Sequence, residues 1–353
     1  MPEFLKSFKN DYKYSYNRKF VKKYINFKNI NIIGMGGSSL GSKAIYNFLK
    51  FKIKKKITFF EDLNLKKENK SKVLNIVISK SGNTLETIVN FNLKFNKKDK
   101  NIFITENRNN YLRKLGEKLK SDIIEHKNFI GGRFSVLSEV GMLPAELMGL
   151  NESKFKQFNN LIAKKTFLNN LIKNVLNTYQ FIKNKKFNSV ILNYDSQSED
   201  FFKWYQQLIS ESLGKNSKGI LPIISNMPKD NHSILQLYLS GFKSNFYTFY
   251  IVEEKNSKKL NSKLLFNNFN FLKEKKTFEI LNAQRVATEN VFRSKKIPFR
   301  SFYIKKRNEE ALGEMFCFFT LEVILLSNLL RVNPLNQPEV ELVKNETFKI
   351  LRK

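Results

Sequence analysis

Hydroxyl groups and one lysine are concentrated in a short segment that follows an apolar run, with the sequence Ser79-Lys80-Ser81-Gly82-Asn83-Thr84. The apolar run predicts a strand, and the residues after it predict a helix. The hydroxyl groups, the free amides of the first helical turn and the Lys80 ammonium would then converge on one small anion, for which a phosphate monoester is well suited. Helix capping by Thr84, with Thr87 in the first turn, is the alternative. Capping does not explain a lysine between two serines.

A glycine-rich segment follows an earlier apolar run and reads Gly34-Met35-Gly36-Gly37-Ser38-Ser39-Leu40-Gly41. Glycines allow a tight turn from strand to helix and leave backbone N–H groups available for an anion. The segment is close to a dinucleotide-binding fingerprint, because Glu61 and Asp62 follow the next strand, where a ribose-binding acid belongs. Ser39 occupies the position of the third glycine, however. A nicotinamide nucleotide, another phosphate ligand and a plain tight turn all remain open.

Both segments must be held by strands, and short apolar runs alternate with helical patterns from about residue 29 onward. Such alternation is typical of βαβ units and a parallel sheet. Residues from Glu152 to about Lys183 contain no glycine or proline and predict connecting helices at a domain boundary. The predicted fold class is α/β, with two doubly wound parallel-sheet domains in tandem, residues 1–175 and 176–353, and a C-terminal helical segment. The predicted strands are residues 29–33, 57–60, 74–78 and 102–104, then 189–194, 219–223, 246–252 and 298–304.

Positive charge is the most unusual feature of the composition, with a formal net charge of +32 over 353 residues. The densest lysine clusters, residues 52–56 and 255–263, lack the interleaved aromatic residues that stack on bases. We therefore expect no nucleic-acid partner, although a positive field would attract a small anionic substrate. The sequence contains no run of about 18 uncharged apolar residues and no signal-peptide pattern. These patterns predict a cytoplasmic protein without a membrane partner.

The only cysteine, Cys317, lies in an apolar run. A single cysteine allows no intrachain disulfide and no thiolate metal cluster. We expect Cys317 to be a small residue of the core.

Six segments, taken in order, closely resemble motifs of the glucose-6-phosphate isomerase family. They are Gly34 to Gly41, Ser79 to Thr87, Gly131 to Ser138, Gln206 to Lys215, Asn231 to Gln236 and Asn336 to Lys344. The match runs across nearly the whole chain, and ordered motifs are far more specific than either loop alone. The resemblance implies two sugar-isomerase (SIS) domains. It also implies reversible isomerisation of glucose 6-phosphate and fructose 6-phosphate, through ring opening and an enediolate, in glycolysis and gluconeogenesis.

Conversion of an aldose to a ketose needs a base that takes the proton from C2 and returns it to C1. Glu211 is the candidate, and Gln207, four residues earlier, shares its face of a predicted helix. The family has its base and a substrate-contacting glutamine at the matching positions. The alternative is a surface helix on which Glu211 pairs with Lys215, four residues later.

Negative charge on an enediolate calls for a cation, and Arg133 follows two glycines that let the backbone approach a ligand closely. The resemblance gives Arg133 this role, whereas the same three residues alone would predict an exposed loop. Ring opening calls for an acid–base group near the ring oxygen. His232, one of two histidines, is suited to act near neutral pH, with Asp230 raising its basicity. His126 matches no motif of the family and is expected at the surface.

Gln337 and Lys344 are seven residues apart near the C-terminus. On a helix beginning near Pro338 they would lie on a similar face, two turns apart. The resemblance implies that this helix closes over the site, with Lys344 assisting ring opening and Gln337 contacting the phosphate. Val343 stands where the family commonly has glycine, and a β-branched residue there would reposition Lys344. Without the resemblance, the segment would be a plain terminal helix.

The resemblance implies a complete set of site residues. The catalytic residues are Glu211, His232, Arg133 and Lys344, and the substrate-binding residues are Gly37, Ser38, Ser79, Lys80, Ser81, Thr84, Gly132, Gln207 and Gln337. A carboxylate, an imidazole and fixed cations cover the proton chemistry, so we expect no metal ion and no organic cofactor. The family is usually a homodimer, in which His232 would enter the neighbouring subunit's site.

Three alternative functions stay open at this point. A bifunctional phosphoglucose/phosphomannose isomerase would differ in the shape of its pocket, and Gln207 favours glucose. A non-catalytic regulator that binds sugar phosphates would need the hydroxyl-rich segment but not Glu211, Arg133 and His232 together. A nicotinamide-dependent dehydrogenase would bind its nucleotide at the glycine-rich segment.

Overall fold

The computed structural model describes residues 2–63 and 72–353. Its first sheet contains β1 (Asn29–Ile33), β2 (Lys56–Phe60), β3 (Val73–Ile78), β4 (Lys100–Thr105) and β5 (Asp122–Glu125). Its second sheet contains β6 (Asn188–Asn193), β7 (Leu221–Asn226), β8 (Asn245–Val252) and β9 (Phe299–Ile304). The strand orders are β2-β1-β3-β4-β5 and β7-β6-β8-β9, and every pairing is parallel.

The central strand of the first sheet, β3, is buried along its whole length. Strands covered on both faces are mostly apolar, and Asn75 is the polar exception in β3. Asn75 lies beside Asn31 on one side and Asn101 on the other. Asn31 Nδ2 donates to Asn75 Oδ1, and Asn75 Nδ2 donates to Asn101 Oδ1, both at 2.9 Å. These bonds satisfy the buried amide groups and favour a single register of the three strands.

Helices connect the strands and join the two sheets. The α-helices are α1 (Arg18–Tyr24), α2 (Leu40–Phe48), α3 (Leu85–Lys94), α4 (Tyr111–Lys118), α5 (Glu139–Leu147), α6 (Phe158–Ile162), α7 (Lys165–Lys183), α8 (Glu199–Leu213), α9 (Leu235–Ser240), α10 (Thr277–Ser294), α11 (Glu309–Leu330) and α12 (Pro338–Leu351). Helix α2 of the first domain packs on α8 of the second, and α11 packs on α7 and α8. Side chains of both domains therefore share one continuous core, which includes Ile32, Phe201 and Phe316.

The central helix of the protein is α11, most of whose residues are buried. Cys317 is fully buried in this helix, which confirms its predicted place in the core. Among the described residues, α11 is the one helix long and apolar enough to span a membrane, but most of its apolar stretch is buried inside the protein. Its surroundings are those of a core helix.

The predicted fold class is confirmed, and all eight predicted strands overlap observed ones. The ninth strand, β5, has four residues and was not predicted. It has only two isoleucines between two acidic residues, so it lacks the longer apolar run that marks the others. Its first residue, Asp122, accepts hydrogen bonds from Lys23 and Tyr24. The predicted division after residue 175 falls within α7, which connects the two sheets.

Candidate active site

The glycine-rich segment follows β1 and turns sharply before α2. Gly36 has a φ of +54°, a left-handed value that glycine adopts without strain. A Cβ atom on Gly36 would lie 2.8 Å from Gln207 Nε2, and one on Gly37 would lie 2.2 Å from the carbonyl carbon of Gly132. Glycine therefore lets this turn contact both α8 and the loop that carries Arg133.

The acid expected to bind ribose in a dinucleotide site has partners inside the protein. Ser39 Oγ donates to Glu61 Oε1 at 2.7 Å, and Lys43 Nζ donates to Glu61 Oε2 at 2.5 Å. Both donors lie at the start of α2, so Glu61 fixes that helix against the end of β2. Each oxygen of the Glu61 carboxylate therefore already accepts one hydrogen bond from within the protein.

Ser79 directly follows β3, at the sheet edge where open α/β folds bind ligands. Ser79 Oγ lies 2.8 Å from Thr84 Oγ1 and 3.5 Å from Ser81 Oγ. It also accepts a hydrogen bond from the Gly82 amide at 3.2 Å. Thr84 is the residue before α3, but its hydroxyl makes no capping hydrogen bond to that helix. The structure therefore brings the three predicted hydroxyl groups together in one turn.

The Lys80 ammonium is engaged beside this turn. It donates to the Asn128 carbonyl at 2.8 Å and forms an ion pair with Glu106 at 3.5 Å. Arg108 also pairs with Glu106, at 2.7 Å, so two cations share one carboxylate. The known contacts of Lys80 do not include the three hydroxyl groups, and its phosphate-binding role stays a prediction.

Arg133 lies near the start of a 3-10 turn, Gly132–Leu137. Only 3% of its side chain is exposed, so the expectation of an exposed loop for these residues taken alone is wrong. Burial lowers the pKa of the guanidinium, and the carboxylate of Glu211 opposes this effect. A guanidinium remains protonated in proteins. Arg133 is therefore a fixed, buried positive charge.

The Arg133 guanidinium contacts two parts of the chain. Nη1 donates to Glu211 Oε2 at 2.8 Å and to the side-chain oxygen of Gln337. Nη2 donates to the backbone carbonyls of Pro334 and Asn336. One side chain of the first domain thus holds α8 of the second domain and the residues that lead into α12.

Glu211 is held on α8 by groups on either side of its carboxylate. Gln207 Nε2 donates to Glu211 Oε1 at 3.0 Å, as their spacing on the helix predicts. Lys215 does not form the alternative ion pair, because its ammonium donates to the backbone carbonyls of Glu211 and Ser212. Burial lowers the pKa of Lys215 to about 8, and the nearby charge of Arg133 adds to the effect. The Glu211 side chain remains 23% exposed and is directed toward Arg133.

Two buried atoms of this cluster have no hydrogen-bond partner among the described residues, Arg133 Nε and Gln207 Oε1. A buried polar atom left unpaired costs about 1–3 kcal/mol, so these atoms are suited to polar groups of a ligand. A cavity of about 660 Å³ adjoins Glu211 and is also lined by Lys215 and Gln337. Its volume is in the range of small-molecule sites.

His232 is the exposed last residue of a 3-10 turn, Lys229–His232, after β7. The Asp230 carboxylate accepts hydrogen bonds from Ser225 Oγ and the Asn226 amide, both at 2.8 Å. These bonds fix Asp230 to β7, and none of its bonds within the described chain reaches His232. His232 is not part of the contacts around Arg133 in this chain, and its catalytic role stays a prediction.

His126 is buried, with 2% of its surface exposed, so its expected surface position is wrong. It directly follows β5 and lies between the exposed Glu125 and the half-exposed Lys127. Alternation along an extended chain turns one side chain inward between two outward ones. Burial lowers the pKa of His126 to about 4, to which the charge of Lys80 contributes. This histidine is therefore neutral near pH 7.

Gln337 and Lys344 have different surroundings. Gln337 immediately precedes α12 and contacts Arg133, whereas Lys344 lies within that helix and is exposed. The Lys344 ammonium donates to Glu341 Oε1 at 2.6 Å. None of the residues of α12 is buried. The structure brings Gln337 into the cluster, and the closure of α12 with Lys344 stays a prediction.

Sequence reasoning did not identify the carbonyl groups of Pro334 and Asn336 as partners of Arg133. Every residue has a backbone carbonyl, so residue types contain no signal for such a contact. The family motif that begins at Asn336 indicated this segment of the chain, but not which of its atoms bind Arg133.

The fold and the buried cluster define a two-domain α/β protein with two parallel sheets and a polar site where the domains meet. Similar solved structures include a hypothetical protein from Thermus thermophilus, with a TM-score of 0.84 and 22% identity, covering 95% of this chain and 87% of that chain. A glucose-6-phosphate isomerase from Chlamydia trachomatis has a TM-score of 0.77 and 18% identity, covering 94% of this chain and 71% of that chain. At these identities the likeness shows the fold alone.

Sequence comparison identifies the family. The Phosphoglucose isomerase family profile matches residues 5–353. Glucose-6-phosphate isomerase of Methanocaldococcus jannaschii is 32% identical, over 96% of this chain and 88% of the relative. Glucose-6-phosphate isomerase of Mycoplasmopsis synoviae is 31% identical, over 91% of this chain and 82% of the relative. The chain belongs to the phosphoglucose isomerase family, which confirms the resemblance seen in its motifs.

Proposed function

We propose that the protein interconverts glucose 6-phosphate and fructose 6-phosphate. One observation carries the proposal: a partly exposed carboxylate, Glu211, lies 2.8 Å from a buried guanidinium, Arg133, where the two domains meet. A base beside a fixed cation suits proton transfer through an enediolate, because the cation stabilises the negative charge that the base creates. The turn that begins at Ser79 supplies hydroxyl groups for the substrate's phosphate.

In the proposed reaction, Glu211 takes the proton from C2 of the open-chain aldose. The electron pair of that C–H bond forms the C1–C2 double bond, and the carbonyl oxygen on C1 becomes negatively charged. The protonated Glu211 returns its proton to C1, while the hydroxyl proton on O2 passes to O1 and leaves a carbonyl group at C2. Arg133 stabilises the charged oxygen, and the bond from Gln207 Nε2, 3.0 Å long, orients Glu211.

Ring opening precedes this proton transfer, and we assign it to His232 and Lys344. Both side chains are exposed. In the homodimer that we propose, the exposed imidazole of His232 would act in the site of the neighbouring subunit. Closure of α12 would bring Lys344 toward the ring oxygen, since Gln337 already ties the start of that helix to Arg133.

The partners we propose are a sugar phosphate and a second copy of the chain, with neither nucleic acid nor a membrane. The net charge of +32 supports an anionic small substrate through its long-range field. We propose the cytoplasm as the compartment, because an ionised sugar phosphate does not cross a lipid bilayer unaided.

A coupled assay of glucose 6-phosphate formation from fructose 6-phosphate tests the function. The wild-type protein should turn over, and Glu211→Gln should lower kcat by about 100-fold or more, because it removes the general base. Glu117→Gln is the matched control, since Glu117 is exposed on α4 and pairs with Arg113. A wild-type protein without turnover would contradict the isomerase function and favour the sugar-phosphate-binding regulator. Full activity of Glu211→Gln would show that the base is another residue.

A further inference from the structure

A buried lysine lies outside the proposed reaction centre. Lys156 follows the 3-10 turn Glu152–Phe155 and is only 5% exposed. Its ammonium donates to the backbone carbonyls of Ser7 and Leu137. Burial lowers the pKa of Lys156 to about 7, against the attraction of Glu139 and other nearby groups. Removing an ammonium group from water is costly unless it gains partners, and these two carbonyls are partners from distant parts of the chain.

Aromatic rings of the N-terminal segment surround the same ammonium. Lys156 Nζ lies 5.0 Å from the ring centre of Tyr12 and 4.9 Å from that of Tyr14, within the range of cation–π attraction. The hydroxyl of Tyr12 donates to Glu139 Oε2 at 2.9 Å, and the Ser15 amide donates to Glu139 Oε1 at 2.9 Å. Glu139 is fully buried at the start of α5. The N-terminal segment is therefore attached both to Lys156 and to α5.

These contacts converge on the turn that carries Arg133. Leu137, whose carbonyl accepts from Lys156, is the last residue of the turn Gly132–Leu137. At the other end, the ring of Phe134 stacks on that of Phe4 with the centres 4.1 Å apart. The N-terminal segment, residues 4–16, thus braces this turn near both of its ends.

The brace contacts the turn that carries Arg133, whereas the partners of the Arg133 guanidinium belong to other parts of the chain. The guanidinium is bound by Glu211, Gln337 and two carbonyls, which belong to α8 and to the residues before α12. Those contacts orient the end of the Arg133 side chain. The turn that carries Arg133 is held by other contacts: the stack of Phe4 on Phe134, the bond from Lys156 to the Leu137 carbonyl, and the bond of 3.2 Å from Ser135 Oγ to the Gly37 carbonyl.

We propose that Lys156 is a positioning residue, which fastens the N-terminal segment to the Gly132–Leu137 turn and so places the Arg133 guanidinium against the reacting oxygen. The inference rests on the role proposed for Arg133. A displacement of about 1 Å in such a group is enough to cost up to about 100-fold in rate. Substrate binding depends mainly on other groups, so the effect should fall on kcat.

Lys156→Met tests the proposal, with Lys154→Met as its matched control. Lys154 lies two residues earlier, is half exposed and pairs with Glu310 at 3.2 Å, away from the Arg133 turn. Lys156→Met should lower kcat about tenfold or more and change KM less than about twofold. The control should keep both constants. A folded Lys156→Met protein with wild-type kcat would overturn the proposal, as would a rise in KM alone.

A double-mutant cycle with Arg133→Met separates positioning from a general loss of structure. If Lys156 acts through Arg133, Lys156→Met should reduce the residual kcat of Arg133→Met by less than about twofold. If the double variant instead loses kcat by the product of the two single-variant losses, the inference is overturned. Full activity of Arg133→Met would instead contradict the role proposed for Arg133, so the two failures are distinguishable.

Phe4→Leu decides the question if Lys156→Met fails to fold. It loosens the stack on Phe134 and leaves the buried ammonium and its partners in place. Its melting temperature and circular dichroism establish that it is folded at the assay temperature. The expected result is a kcat lowered several-fold at nearly constant KM. An unchanged kcat in the folded variant would show that the N-terminal segment does not brace the Arg133 turn, and would thereby overturn the proposal.

Discussion

The two halves of the proposed site are built differently. Arg133, Glu211 and Gln337 are joined by direct hydrogen bonds where the domains meet, and the arginine is almost completely buried. His232 and Lys344 are exposed on a turn and on α12. A buried charge needs fixed partners, whereas an exposed charge is satisfied by water. One chain therefore assembles the proposed proton-transfer half by itself, whereas the proposed ring-opening half would need a further contact.

The two histidines show the same contrast. His126 is buried and neutral near pH 7, while His232 is exposed at the end of its turn. From the sequence, His232 was the acid–base candidate and His126 was expected at the surface. Their surroundings separate them, since a neutral, enclosed imidazole supports the fold and an exposed one is free to meet a substrate.

The largest predicted effect tests the proton-transfer half, which contains Arg133. Arg133→Met should lower kcat by about 10³-fold, because it removes the only buried cation that contacts Glu211 among the described residues. The steady-state assay should show this loss with a smaller change in KM. Arg293→Met, which changes an exposed arginine on α10, is the control and should be unaffected. A variant that keeps more than a tenth of wild-type kcat would break the distinction between the two halves.

The next prediction concerns stability and the buried histidine. Because the folded protein holds the pKa of His126 near 4, the unfolded chain takes up a proton there first as the pH falls through its ordinary value of 6.5. Stability is therefore complete above pH 6.5 and is lost progressively toward pH 4, by up to about 3 kcal/mol.

Urea unfolding at pH 6.5 and pH 4 measures this effect. Other groups also titrate in this range, so the comparison is made between variants. His126→Leu should lose about 3 kcal/mol less than the wild type on acidification. Equal acid sensitivity of the wild type and His126→Leu would show that His126 does not titrate as its burial requires.

A somewhat smaller effect is predicted for His232, in the ring-opening half. His232→Gln should lower kcat about 100-fold, as expected for the loss of an acid–base group. If the imidazole acts in the neighbouring subunit, mixing this variant with Arg133→Met creates dimers with one intact site. After subunit exchange, about a quarter of wild-type activity should return. Absence of recovery in verified mixed dimers would place His232 in its own subunit's site.

The smallest predicted effect concerns Lys80. Lys80→Ala should raise KM for fructose 6-phosphate about tenfold and leave kcat within about twofold, because a charge-assisted bond to the phosphate is lost. Lys97→Ala is the control, since Lys97 is exposed and lies before β4, away from the hydroxyl-rich turn. An unchanged KM would limit Lys80 to its observed contacts with Glu106 and Asn128.

Most of the first sheet was predictable because β1 and β3 are short apolar runs followed by turn residues. The missed strand, β5, is short and begins with a charged residue, Asp122. Periodicity does not identify such an element, because its position depends on pairing with β4 and on bonds from Lys23 and Tyr24. The parts of the fold that sequence reasoning missed are those held by distant partners.

The sequence by itself determined the kinds of groups available and their local arrangement. The hydroxyl groups near Ser79 meet in one turn because they follow a strand within a few residues, and Gln207 meets Glu211 because helix geometry brings residues four apart together. Tertiary structure alone decided that Arg133 reaches Gln337 across both domains and that His126 is enclosed. Local geometry follows from neighbouring residues, whereas burial and long-range contacts depend on how the whole core packs.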